Sequence, residues 1–141
     1  MTAKEYLLQI QHLHIQIEIK KERLERIRVL LTSPAVGEIK QDKVQTSISI
    51  DKQERLIVDK ADLEDELQRL MYEEAVLIIR IGKQIDGMED PLHAKILHLR
   101  YEEFQSLWVV AQKTNYSYSH IRRLHGQALK EFAECYLKDD T

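Results

Sequence analysis

Residues 106–132 read SLWVVAQKTNYSYSHIRRLHGQALKEF, and the architecture of the chain turns on them. Ser106 fits the N-cap of a short helix, LWVVAQK, because a serine hydroxyl can accept from the free N–H groups of a first helical turn. Asn115 falls where that helix must stop, and Asn tolerates the left-handed conformation a tight turn needs. Ser117 fits a second N-cap, and the helix after it runs to about Leu137. Its apolar stripe is Ile121, Leu124, Ala128 and Phe132, spaced three, four and four, which is one face of an α-helix. Val110 and Ala111 are small and apolar, and suit close packing against Ile121 and Leu124. Two helices joined by a tight turn, the second amphipathic and basic, predict a helix-turn-helix.

The stripe assigns the opposite face as well. Tyr118, Ser119, Arg122, Arg123 and Gly126 point outward on the second helix, the recognition helix of about 117–137. A guanidinium fork pairs bidentately with guanine O6 and N7, a serine bonds phosphate or base edges, and a tyrosine hydroxyl bonds phosphate. Ser117 brings the positive end of the helix towards an anion, and Gly126 permits close approach. The predicted interface for double-stranded DNA is therefore Ser117, Tyr118, Ser119, His120, Arg122 and Arg123, with His120 and His125 as candidate phosphate contacts. Trp108 is assigned to the core, and Tyr101 and Phe104 are expected to pack under the motif.

Upstream of this module, Gly87 and Asp90-Pro91 mark a boundary, with Asp90 as N-cap and Pro91 at the first helical position of a helix over LHAKILHLRYEE. Nearer the N-terminus, residues 3–31 contain no Gly or Pro, and Ile10, Ile17, Leu24 and Leu31 recur every seven residues. Tyr6, Leu13 and Ile27 fill the alternate positions, with Lys20 the exception. This heptad seam predicts one helix of roughly 40 Å ending at Thr32-Ser33-Pro34. A linker follows over 32–50. A second long helix is expected from an Asp51 N-cap to about Asp86. Leu56, Leu63, Leu70 and Leu77 form one of its series and Leu67, Ile81 and Met88 the other, interrupted by Lys60 and Glu74. Each stripe needs a partner, and the simplest arrangement is an antiparallel hairpin over 1–88 for oligomerisation or partner binding. Val76, Ile78, Ile79 and Ile85 are left over, to pack on the C-terminal unit or on a second copy.

Composition narrows the rest. Four Gly and two Pro in 141 residues argue against a turn-dense β-fold, leaving an all-α chain. A single Cys excludes an internal disulfide framework. No apolar run is long enough to cross a membrane, and the first residues lack a signal-peptide core, so a cytoplasmic chain without membrane contact is expected. Residues 1–91 carry 14 basic and 18 acidic side chains, whereas 92–138 carry 7 and 4, so the net charge of -3 hides a basic C-terminal third. The pairs His93/His98 and His120/His125 are five apart and diverge on a helix, so no metal site is expected. Neighbouring acids such as Glu64-Asp65-Glu66, Glu73-Glu74 and Glu102-Glu103 read as ion-paired surface. Gly82-Lys83 lacks the rest of a phosphate-binding loop, and no nucleophile pattern occurs. Neither an enzyme nor a cofactor is expected.

The string ILHLRYEEFQSLWVVAQKTNYSYSHIRRLHGQALKEF resembles region 4 of the sigma-70 family, the part that reads the -35 promoter element. The resemblance lies in L-x-L-R-Y, Trp108-x-Val110-Ala111, the turn, Ser117, Ile121-x-x-Leu124 and Ala128-Leu129. Over its whole length, through A-K-E-Y-L-x-x-I, D-K-V-Q-T-S and Y-S-Y-S-H, the chain is similar to small phage and prophage sigma-70-like (ArpU/RinA-type) transcriptional regulators of Gram-positive bacteria. The resemblance implies promoter or operator binding in late-gene expression, with RNA polymerase as a further partner. Thr114 stands where that family has an apolar residue, Asn115 where it has Gly, and Tyr118-Ser119 where it has a charged pair, so the -35 preference does not carry over. A separate sigma region 2 is missing, which argues against a complete sigma factor.

The expectation is a sequence-specific regulator with a hairpin over 1–88, a DNA-binding module over 91–138, and a homodimer as the favoured oligomer. Two rivals stand beside it. One is a phage packaging protein resembling a small terminase subunit, which would form rings. The other is a protein-interaction adaptor without DNA binding, indifferent to loss of Arg122 and Arg123.

Overall fold

The computed structural model describes residues 1–32 and 43–138, and every described element is helical. They are α1 (Ala3–Leu7), α2 (Gln9–Thr32), α3 (Lys43–Asp86), α4 (Pro91–Leu97), a π-helical turn (His98–Glu102), α5 (Leu107–Thr114) and α6 (Tyr118–Tyr136). No described helix is both long and apolar enough to cross a membrane.

Local chemistry starts each short helix. Thr2 and Glu5 form a reciprocal capping box on α1. The Glu5 N–H donates to Thr2 Oγ1 at 3.2 Å and the Thr2 N–H to Glu5 Oε2 at 3.3 Å. Asp90 Oδ1 accepts from the N–H groups of Leu92 (2.9 Å) and His93 (3.3 Å). Pro91 opens α4, as the sequence predicts.

Four local features depart from expectation. The N-terminal helix is divided at Leu8, although the Leu8 N–H still reaches Lys4 O and the His12 N–H reaches Leu8 O, both at 3.0 Å, so the chain keeps a helical path. Asp51 is not an N-cap, because α3 already begins at Lys43. Residues 43–50 contain no Gly or Pro, and the β-branched side chains there cost a helix only tenths of a kcal/mol each. The expected linker therefore loses its second half to α3, and its residues 33–42 lie outside the described residues. The helix after Pro91 does not run on regularly, since at His98 it widens into a π-helical turn. Just beyond that turn stands Phe104, whose φ of 58° is unusual for a bulky side chain.

Packing divides the chain into two compact units, residues 15–72 and residues 1–14 with 73–138. In the first, Ile17, Leu24 and Leu70 are buried, and Lys20 Nζ pairs with Glu66 Oε1 at 3.3 Å. Farther along α2, Arg23, Arg26 and Ile27 share a shallow groove with Asp59, Asp62 and Leu63 of α3. Lys20 interrupts the apolar seam and finds a carboxylate there.

In the second unit, one core joins Ala3 and Leu7 of α1 and Ile10 of α2 to Ile81 and Ile85 of α3 and to Met88 just after it. Leu97, Tyr101, Ala128 and Phe132 complete it. A smaller cluster joins Ile96, Leu99, Val110, Ala111 and Ile121, with Leu92, Leu107 and Leu124 packed against it. Gly87 and Asp90-Pro91 do separate two helices, but the apolar residues on both sides of them bury together. The expected division at 88–91 therefore differs from the grouping by packing. Of the leftover apolar residues, Ile85 enters this core while Ile78 and Ile79 stay exposed.

Candidate nucleic-acid interface

The interface begins with how α5 and α6 are held. Ser106 Oγ accepts from the Val109 N–H at 3.3 Å and starts α5. Val110 and Ala111 are buried against α6, where Ile121, Ala128 and Phe132 are fully buried and Leu124 is half-buried. Thr114 donates its hydroxyl to Val110 O at 2.8 Å. The hydroxyl hydrogen is thereby bonded on its own helix. Asn115 then takes the left-handed conformation (φ 62°, ψ 30°). The Tyr116 N–H donates to Ala111 O at 3.1 Å, which satisfies a carbonyl at the helix end. Ser117 Oγ accepts from the His120 N–H at 3.2 Å and starts α6.

The buried stripe of α6 leaves its other face outward. Ser119, Arg122, Arg123 and Gly126 are exposed there, and a Cβ added to Gly126 meets no atom within 4 Å. Ser117 is exposed with its oxygen already engaged as the cap. Tyr118 and His120 are half-buried, each under another aromatic ring. The Tyr118 ring lies parallel to Trp108, with centroids 3.8 Å apart and planes at 2°, and the Arg122 guanidinium carbon is 5.8 Å from the Tyr118 centroid. The His120 ring stacks on Tyr116 at 5.1 Å. Arg123 Nη2 lies 2.9 Å from His120 Nδ1. A guanidinium only donates, so in this contact Arg123 is the donor. All six expected residues thus lie together at the start of α6.

Trp108 corrects the expectation that it belongs to the core, since 63% of it is exposed. Leu107 lies three and four residues before Val110 and Ala111 and takes the inward position, which turns Trp108 to the outer side. That spacing is the signal the sequence offers for Trp108. Nothing local announces that it meets Tyr118, ten residues away across the turn.

His125 is turned towards the core. Its Nε2 shares a 2.8 Å hydrogen bond with the hydroxyl of buried Tyr101, and the rings stack at 5.7 Å. Burial, helped by the charges of Arg100 and Lys4, pushes its pKa down to about 4. It is therefore neutral at pH 7, and its Nε2 is engaged by the Tyr101 hydroxyl. Burial also raises the Tyr101 phenol, against the opposing pull of Arg100. Other histidines meet carboxylates: His14 meets Glu74 at 3.1 Å, His93 meets Glu131 at 2.8 Å, and His98 meets Glu102 and Glu103 at 3.2 Å. The half-buried acids Glu74, Glu131 and Glu102 are thus each in contact with an imidazole. Among the described residues, no group of three or more His, Cys, Asp or Glu is placed to hold a metal.

Chemically, the outer start of α6 offers two guanidinium forks, a serine hydroxyl and the edges of four rings, a set suited to phosphate oxygens and major-groove base edges. Compared with protein-family models, curated proteins and solved structures, the chain matches none.

Proposed function

We propose that the chain is a sequence-specific, double-stranded-DNA-binding regulator of transcription, with α6 as the recognition helix of a helix-turn-helix borne by a helical hairpin. The observation that carries this reading is the pair α5 and α6. The first turns of α6 pack Ile121 and Leu124 with Val110 and Ala111, and the opposite face presents Ser119, Arg122 and Arg123 to solvent. Arg122 and Arg123 are two outward guanidinium groups beside a helix start. A regulator needs both, to hold phosphate and to read bases. The resemblance to phage and prophage sigma-70-like regulators assigns late genes as the target and RNA polymerase as a second partner.

Self-association belongs to the same proposal. Ile57 and Met71, and Val58 and Tyr72, stand fourteen residues apart on α3, so each pair repeats at two heptads, and all four are exposed. A second copy covering that seam would give a dimer reading two half-sites. Selection of bound sequences from a random duplex pool at two salt concentrations tests the reading. A motif lost in the Arg122→Ala/Arg123→Ala variant is the expected result. Binding that fades steeply with salt and selects no motif would reduce the interaction to phosphate attraction and overturn it. Light scattering at micromolar concentration is expected to give twice the chain mass, and a strict monomer would remove the dimer.

A further inference from the structure

We infer that Trp108 and Tyr116, which lie outside the recognition helix, are positioning residues that aim Arg122 and Arg123 at guanine in the major groove. The inference rests on the DNA-binding reading above. An arginine side chain is long and flexible, and reading a base bidentately requires its planar fork in one orientation. Each arginine here is braced in two steps. Arg122 lies against the Tyr118 ring at 5.8 Å, and Trp108 of α5 covers one face of that ring at 3.8 Å. Arg123 donates to His120 Nδ1 at 2.9 Å, and Tyr116 of the turn stacks on that imidazole at 5.1 Å. Both braces cross from α5 or the turn onto α6, so each guanidinium is tied to two parts of the motif at once. The attraction of a cation to a ring face and the hydrogen bond to the imidazole are in place before DNA arrives.

A purely structural role fits Trp108 poorly. A side chain with 63% of its surface exposed adds little to a core, whereas it covers the ring that carries Arg122. Trp108 itself supplies no cation for a phosphate. Its removal is therefore expected to change which sequence is bound more than how steeply binding depends on salt.

The test uses the full chain and the duplex it selects, with each guanine of the motif replaced in turn by 7-deazaguanine, which lacks the N7 acceptor. The wild type is expected to lose about tenfold in affinity at the guanine read by Arg122, the scale of a good bidentate contact. In Trp108→Ala that penalty is expected to fall below about threefold with the salt slope unchanged, and Trp108→Phe, which keeps a ring, is expected to restore it. Tyr116→Ala is expected to do the same at the guanine read by Arg123. Should Trp108→Ala fail to fold, Trp108→Leu keeps an apolar side chain without a ring and is expected to lose the penalty likewise. A full penalty retained in the ring-less variants overturns the inference while leaving the DNA-binding reading intact, as does a selected motif without guanine. A wild type that selects no motif overturns both.

Discussion

His125 links one residue's surroundings to the acid behaviour of the protein. Its folded-state pKa of about 4 lies below the ordinary histidine value of 6.5. Between those values the unfolded chain binds the extra proton and the folded chain does not, so stability is full above about pH 6.5 and is lost as the pH falls towards 4. Denaturant titrations at pH 4, 5, 6 and 7 are expected to show this decline, and His125→Gln, which keeps a hydrogen-bonding partner for Tyr101, is expected to flatten it. An equal slope in the variant would assign the decline to other groups. Gly126 offers a second single-residue test. It lies inside α6 on the exposed face, and its added Cβ meets nothing. Gly126→Ala should therefore stabilise the fold by about 0.5–1 kcal/mol in thermal unfolding. If that face approaches DNA closely, the same methyl lowers affinity, and a variant that is more stable but binds less well is the expected outcome.

Among the elements, the turn between α5 and α6 has the clearest local cause. Asn115 holds φ at 62°. An ordinary L side chain is strained there by about 1–2 kcal/mol. Asn115→Ala is therefore expected to lower stability by about 1 kcal/mol and Asn115→Gly to avoid that loss, both read by urea unfolding. This turn is legible in the sequence because its chemistry is local, as are the caps at Asp90, Ser106 and Ser117 and the buried stripe of α6. The departures share another origin. Asp51 is a good N-cap residue in isolation, but a helix already propagating from Lys43 passes through it, and one side chain cannot stop it. Nothing in HLRYE announces a π-helical turn. Size alone sends Trp108 inward, and its partner Tyr118 is supplied only once α5 and α6 are packed. The outward residues are readable because a stripe defines its opposite face. The braces beneath them are not, because rings that meet across a turn leave no period in the sequence.

For the molecule as a whole, the second compact unit is built from both ends of the chain. Tyr101 and Phe132 are buried together with Leu7, Ile10, Ile81 and Ile85. A fragment of residues 91–138 contains the whole expected DNA-binding module but none of those last four partners. Losing the cover of two large aromatic side chains costs several kcal/mol, most of the stability of a small domain. The fragment is expected to lack cooperative thermal unfolding and to bind a hydrophobic dye, and a sharp melting transition would show that the module folds independently. The same arrangement governs synthesis on the ribosome. Ala3, Leu7 and Ile10 share this core with Ala128 and Phe132, which emerge more than a hundred residues after them. At about 5–20 residues per second, these apolar side chains wait several seconds or longer for their partners. This core is therefore completed only once Phe132 has emerged, and Ala3, Leu7 and Ile10 stay open to chaperones until then.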